Sequence, residues 1–322
     1  MLKKMSIRKI VLASITLLLL IILYLLPDGD INVLKLESKE KLEYISGELN
    51  THEIYLLDSN NFIARTSVLV SKKSTAKESI ARELLETLII DGKRESNIPS
   101  GFRAIIPLDT KIVTITLQES TIKVNFSKEL LDVTKDYEEK MIEAITYTLT
   151  SIDGVEGVLI YVENELLTVL PKKSTHLPTL LTREFGVNKV YDLSSTSDIN
   201  YVTVYYINKY NKDYYYVPVT KYVNDSREKI KIIIDELASG PTYESNLMSF
   251  LNANTKLLNY EMVDNIMKLD FNPYILSSLD EKKILEEVIY TISLSLGDNY
   301  DIAEVVFNVE ELEITKKCLK DC

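Results

Sequence analysis

TKIVTITLQESTIKVNFS at residues 110–127 alternates apolar and polar side chains on either side of a turn: Val113, Ile115 and Leu117, a turn over 118–120, then Ile122, Val124 and Phe126. Successive side chains of a strand point to opposite faces, so this period of two predicts a hairpin with one apolar face buried in a core. Residues 255–272 repeat the pattern as TKLLNYEMVDNIMKLDFN, with Leu258, Tyr260 and Met262, a turn near Asp264 and Asn265, then Met267, Leu269 and Phe271. Thr110-Lys111 matches Thr255-Lys256 and Val124-Asn125-Phe126 matches Leu269-Asp270-Phe271, both at an offset of 145.

Outward from the hairpins the correspondence continues in order. Tyr55 in IYLLD matches Tyr205 in VYYIN at an offset of 150, Gly92 matches Gly240 at 148, and Tyr147-Thr148 is aligned with Tyr290-Thr291 at 143. Collinear matches with slowly drifting offset indicate an internal duplication. Each copy opens with two strand-like runs, at 54–57 and 66–70 in the first and at 202–207 and 214–219 in the second. A helix follows, with a capping box expected at Thr75 and Glu78 or at Asp225 and Glu228, apolar residues at helical spacing, and a stop at Gly92 or Gly240. After the hairpin a second helix carries Met141, Ile142, Ile145 and Leu149, or Ile284, Leu285, Val288, Ile289, Ile292 and Leu296, and a last strand closes each copy at 157–162 or 303–309. The order is ββαββαβ, an α+β fold with helices on one face of a sheet.

Residues 10–26, IVLASITLLLLIILYLL, are uncharged and just long enough to cross a bilayer as a helix. Lys3, Lys4, Arg8 and Lys9 precede them while Asp28 and Asp30 follow, which holds the N-terminus in the cytoplasm and sends the rest across. LYLLPDGD lacks a small-x-small cleavage pattern and no Cys stands nearby to carry lipid, so the segment reads as an uncleaved anchor. The expected organisation is a cytoplasmic N-terminus at 1–9, a transmembrane anchor at 10–26, a juxtamembrane linker at 27–50, a first module at 51–171, a connector at 172–199, a second module at 200–316 and a tail at 317–322. Cys318 and Cys322, the only cysteines, lie in that tail on the side where disulfides persist; free or casually paired thiols are expected of them.

At this point the chain resembles the GerM family of sporulation and spore germination proteins, built from tandem GerMN domains behind an N-terminal membrane anchor. The resemblance covers roughly residues 50–315 and rests on the helix ending in Gly, the Thr-Lys that opens each hairpin, the strand ends VNFS and LDFN, and the connector LPTLLTREFGVN at 177–188. It implies a role in the envelope machinery of sporulation and in later germination.

The residues themselves point away from catalysis. A formal charge of −11 argues against affinity for nucleic acid or acidic lipid. His52 and His176 are the only histidines, one at a domain edge and one in the connector, and no glycine-rich phosphate loop occurs. Asn125 and Asp270 recur at equivalent positions, and a solvent-facing role is expected for them. No catalytic residue, cofactor or metal site is expected. The unusual feature is the tyrosine-rich hairpin, with Tyr205, Tyr206, Tyr210, Tyr214, Tyr215, Tyr216 and Tyr222. Tyr supplies rigid amphipathic area suited to an interface or to sugar stacking, so Tyr205, Tyr206, Tyr214, Tyr215 and Tyr216 are the candidate partner surface. The function expected is that of a non-enzymatic, membrane-anchored exoplasmic scaffold for other membrane or envelope proteins; the alternative is a cell-wall peptidoglycan binder.

Overall fold

The structure, a computed structural model, describes residues 17, 50–71, 74–241, 245–278, 280 and 282–319. The anchor and linker expected at 10–50 lie outside them except for Leu17 and Asn50. Among the described residues no helix is long and apolar enough to cross a membrane.

The first copy runs β1 (Thr51–Asp58), β2 (Ile63–Leu69), α1 (Lys77–Thr87), the short β3 (Phe102–Arg103), β4 (Ile112–Gln118), β5 (Thr121–Phe126), α2 (Glu138–Leu149), β6 (Gly157–Val162) and β7 (Glu165–Leu166). After β8 (Val190–Asp192) the second runs β9 (Asn200–Tyr210), β10 (Asp213–Val223), α3 (Lys229–Ser239), β11 (Leu257–Val263), β12 (Ile266–Phe271), α4 (Glu286–Asn299), β13 (Glu304–Val309) and β14 (Leu312–Cys318). Each copy thus ends in a strand more than ββαββαβ, because Glu163-Asn164 and Glu310-Glu311 take positive φ and turn the chain back into β7 and β14. The last strand continues through Lys317 and Cys318, and Cys318 is disulfide-bonded; Cys322 lies outside the described residues.

Each copy also uses two sheets where one was expected. In the first, β4-β5-β6-β7 form a four-stranded sheet whose β5 and β6 run parallel across α2; β11-β12-β13-β14 repeat this across α4. The opening hairpins instead join a separate sheet in the order β3-β1-β2-β10, with β9 and β8 also paired to β10. One continuous sheet therefore spans both copies, with Arg65 of β2 opposite Tyr216 of β10. Helix α2 touches β1, β2 and β6, which is why every residue from Met141 to Leu149 is buried instead of a single stripe.

Phe126 and Phe271 are fully buried, as are Ile122, Val124 and Leu269, so the inner strands supply the expected teeth. The outer strands do so only in part. A β-bulge at Ile112/Thr114 and its counterpart at Leu257/Asn259 insert an extra residue, leaving Val113 and Leu258 about half exposed; Met262 is exposed as well. The helix starts also differ: the caps are Ala76 and Glu228, neither of which caps the helix backbone with its side chain, while Asp225 instead accepts from the Arg227 N–H. Gly240, at φ +78, ends α3 as expected.

Candidate functional site

Tyr55 and Tyr205, equivalent positions of the duplication, meet each other: their hydroxyls lie 2.8 Å apart and both residues are buried. Asp58 and Asn208, again 150 residues apart, do the same through an Asn208 Nδ2–Asp58 Oδ2 bond of 3.0 Å. Equivalent residues touch one another only close to an axis of approximate two-fold symmetry, so the copies join face to face. The outer edge of each opening hairpin is closed in the same symmetric manner. The Tyr55 N–H donates to Thr148 Oγ1 of α2 at 3.0 Å, and the Tyr205 N–H donates to Ser295 Oγ of α4 at 2.8 Å. These bonds align the second helices at an offset of 147, one turn away from the 143 read from Tyr147-Thr148 and Tyr290-Thr291. The corrected register superposes buried Met141, Ile145 and Leu149 on buried Val288, Ile292 and Leu296.

Arg183 of the connector lies at the centre of this junction. Its guanidinium pairs with Asp298 at the end of α4 and lies 4.9 Å from the Tyr147 ring centroid and 5.5 Å from that of Tyr55. The Tyr205 hydroxyl donates to the other Asp298 oxygen at 2.9 Å. Burial pushes the Asp298 carboxyl up, and Arg183 pulls it back part of the way. For Arg183 burial works downward, but Asp298 and the three tyrosines outweigh it and raise the guanidinium well above its ordinary value. The Tyr205 phenol is raised well above its ordinary value by burial and by the Asp298 charge.

A second connector residue, Asn188, satisfies four backbone or carboxylate groups from three elements. Its amide accepts from the Ile63 N–H and donates to the carbonyls of Ile63 and Pro218, while its own N–H donates to Glu143 Oε2. Lys189 closes the set on Glu139 and Glu143 at 2.6 and 3.2 Å. Gly186 lies against Thr220 at φ +77, a backbone conformation that favours glycine, and a Cβ there would stand a tight 3.1 Å from the threonine side chain. The segment between the copies is thus a fastened strap, which explains the particular residues of LPTLLTREFGVN.

The five candidate tyrosines separate. Tyr205 is consumed by the junction; Tyr206 is 2 % exposed and points its hydroxyl at Glu236, which pairs with Lys221; Tyr215 is buried and donates to Asp58 Oδ2 at 2.8 Å. A partner surface built from these three is excluded by their burial. Both faces of β9 are covered, one by its own copy and the other by the junction, so alternation did not turn half of the tyrosines outward. Tyr214 is 44 % exposed beside Phe250, and half-buried Tyr216 stacks on Tyr290 of α4. At the other end of the hairpin, Tyr191, Tyr222 and Tyr201 form an aromatic row that the candidate set omits.

Asn125 and Asp270 act as turn clamps: Asn125 Oδ1 accepts from the Asn164 N–H and Asp270 Oδ1 from the Glu311 N–H. Ser127 and Asn272 likewise accept from the N–H of Lys111 and Lys256, so the Thr-Lys, VNFS and LDFN signatures are the two ends of one fastening. His52 is hydrogen-bonded to Asn50, and His176 is bridged to Val169. The family model described as sporulation and spore germination, Germane, matches residues 53–168 and 203–315. Over 266 residues, 80% of this chain and 70% of the relative, the sequence is 34% identical to the spore germination protein GerM of Bacillus subtilis (strain 168). The solved tandem GerMN domains of the sporulation protein GerM from Bacillus subtilis superpose with a TM-score of 0.74 at 29% identity, covering 81% of this chain and 91% of that one.

Proposed function

This chain belongs to the Germane family of sporulation and spore germination proteins, and on that premise we propose that it is a non-enzymatic, membrane-anchored assembly protein of the sporulating cell envelope. Its two modules form one rigid body on the outer face of a membrane, held there by residues 10–26, and that body offers fixed surfaces to other envelope proteins. The observation that carries this reading is the junction. A sheet continuous through Arg65 and Tyr216, fastened by Arg183, Asp298 and Asn188, sets the distance and angle between the two four-stranded sheets. A scaffold needs such fixed geometry. The conspicuous polar groups of the described residues, including Asp58, Asn125, Asp298 and His52, are committed to fastening the fold.

The outer-face location has independent support in the disulfide-bonded state of Cys318, since such bonds persist outside the reducing cytoplasm. The exposed Tyr191 and Tyr214 rings also suit sugar stacking, so binding to cell-wall glycan is the second reading. Deleting the gene in its host and counting heat-resistant spores tests the role: fewer spores, or spores that germinate poorly, are expected, and unchanged sporulation and germination refute it. Sedimentation of the detergent-purified full chain with peptidoglycan separates the two readings, with the chain expected to stay in the supernatant.

A further inference from the structure

Strand β4, IVTITLQ, is the outer strand of the first four-stranded sheet, pairing with β5 on one side and with nothing on the other among the described residues. Gln118 and Thr121 close a two-residue turn, so they form a hydrogen-bonded pair, and alternation makes Thr116 and Lys123 the next one. The N–H and C=O of Ile115 and Leu117 therefore point away from β5, out of the open edge. Towards its start the edge is closed: the bulge at Ile112/Thr114 breaks the ladder, and Arg82 Nη1 of α1 donates to the Ile112 carbonyl at 3.0 Å. The free stretch is Thr114 to Gln118.

Edges of this kind are ordinarily guarded by charge or by shortness. β14 carries Glu313, Lys316 and Lys317, β11 carries Glu261, and β7 is 2 residues long. β4 has no charged residue and no proline, so a second copy can approach there in spite of the chain's formal charge of −11.

The stretch is also self-complementary. Two copies run antiparallel about Thr116 set Ile115 opposite Leu117 on the apolar face and Thr114 opposite Gln118 on the exposed face, with Thr116 facing its own counterpart. Ile115 and Leu117 then exchange about four main-chain hydrogen bonds across the edge. The flanking charges match as well. Ile112, Ile115 and Leu117 pack on the core, which leaves Lys111 on the outer face, and Glu119 lines that face beside Gln118 and Lys123. Antiparallel pairing brings the Lys111 end of each strand to the Glu119 end of the other. Glu119 makes no ion pair among the described residues, and the Lys111 ammonium acts only through space, on Glu129.

We propose that β4 is the contact through which two copies of this chain pair, joining their four-stranded sheets edge to edge across a two-fold axis at Thr116. Such pairing goes beyond the assembly role and stands or falls separately from it.

The test follows the full chain in mild detergent by analytical ultracentrifugation over a range of concentrations. Wild type is expected to pass from monomer to dimer. Thr116→Lys, which sets two like charges opposite each other at an exposed position, is expected to weaken the dimer at least about tenfold with an unchanged circular dichroism spectrum. Lys111→Glu is expected to weaken it, and the exchange K111E/E119K to restore it. Thr116→Cys, oxidised in the same detergent, is expected to join two copies covalently, because non-hydrogen-bonded partners lie about 4.5 Å apart at Cα. Thr114→Cys, about 13 Å from its own counterpart, is expected not to cross-link. The cysteine pair decides on its own if Thr116→Lys does not fold. A wild type that stays monomeric at every concentration, assemblies larger than a dimer, or equal cross-linking of the two cysteine variants would each overturn the proposal. A folded Thr116→Lys dimer as tight as wild type would overturn it too, and would point to pairing through residues 10–26.

Discussion

Replacing Arg183 by Ala removes the guanidinium that pairs with Asp298 and lies over the Tyr147 and Tyr55 rings. The Asp298 side chain is 8% exposed and that of Arg183 24%. Deleting one partner of a buried ion pair leaves the other charge uncompensated, which costs about 3–5 kcal/mol. Because Arg183 is one-quarter exposed and the Tyr205 hydroxyl still bonds Asp298, the low end, about 3 kcal/mol, is expected for Arg183→Ala. In urea, followed by circular dichroism, that is a midpoint lowered by about 1 M at a slope of about 3 kcal/mol per M. The double change R183M/D298L removes both charges and fills their volume, and it should recover most of the loss, as apolar replacement of a buried pair commonly does. A loss below about 1 kcal/mol in Arg183→Ala, or a double variant whose loss equals the sum of the single ones, would refute the idea that this pair fastens the two copies.

Phe126→Ala and Phe271→Ala each empty a fully buried site and should each cost about 3–5 kcal/mol in the same assay, whereas Val113→Ala and Leu258→Ala, at the bulges, should cost far less. Tyr205→Ser and Tyr215→Ser should destabilise the fold, and Tyr214→Ser should unfold at the wild-type midpoint; a destabilised Tyr214→Ser would contradict the placement of that side chain. Burial works to raise the Glu83 carboxyl, but hydrogen bonds from Ser74 and the Ser71 N–H, with the Arg94 and His52 charges, outweigh it and hold its pKa below the ordinary value. The stability that Glu83 adds over Glu83→Gln should therefore be fully present above the ordinary carboxylate pKa and vanish as pH falls through the lowered one; a difference that grows on acidification would contradict this.

The duplication, the order of helices and strands, and the buried inner strands were legible because periodicity of two and of 3.6 records which face is covered. Phe126 and Phe271 carry that record plainly. Val113 and Leu258 did not, since a bulge shifts parity without changing composition. The extra strands β7 and β14 were missed because their turns use Glu and Asn at positive φ, where glycine is the usual signal. Three of the five candidate tyrosines are buried for a different reason. Tyr205 lies at the junction, where Tyr55 of the other copy and Asp298 at the end of α4 meet its hydroxyl. Arg183, Asn188 and Asp298 were illegible for the same cause: their partners lie in elements far along the chain.

A rigid body that binds and does not catalyse is the proposed basis of the chain's role in sporulation. Its most direct test is the heat-resistant spore titre of a deletion strain carrying the chain with both His52 and His176 changed to Ala. These are its only histidines. A titre equal to that restored by the wild-type chain is expected. A loss of spores with the protein's abundance and circular dichroism unchanged would contradict the account and point to chemistry at one of the two.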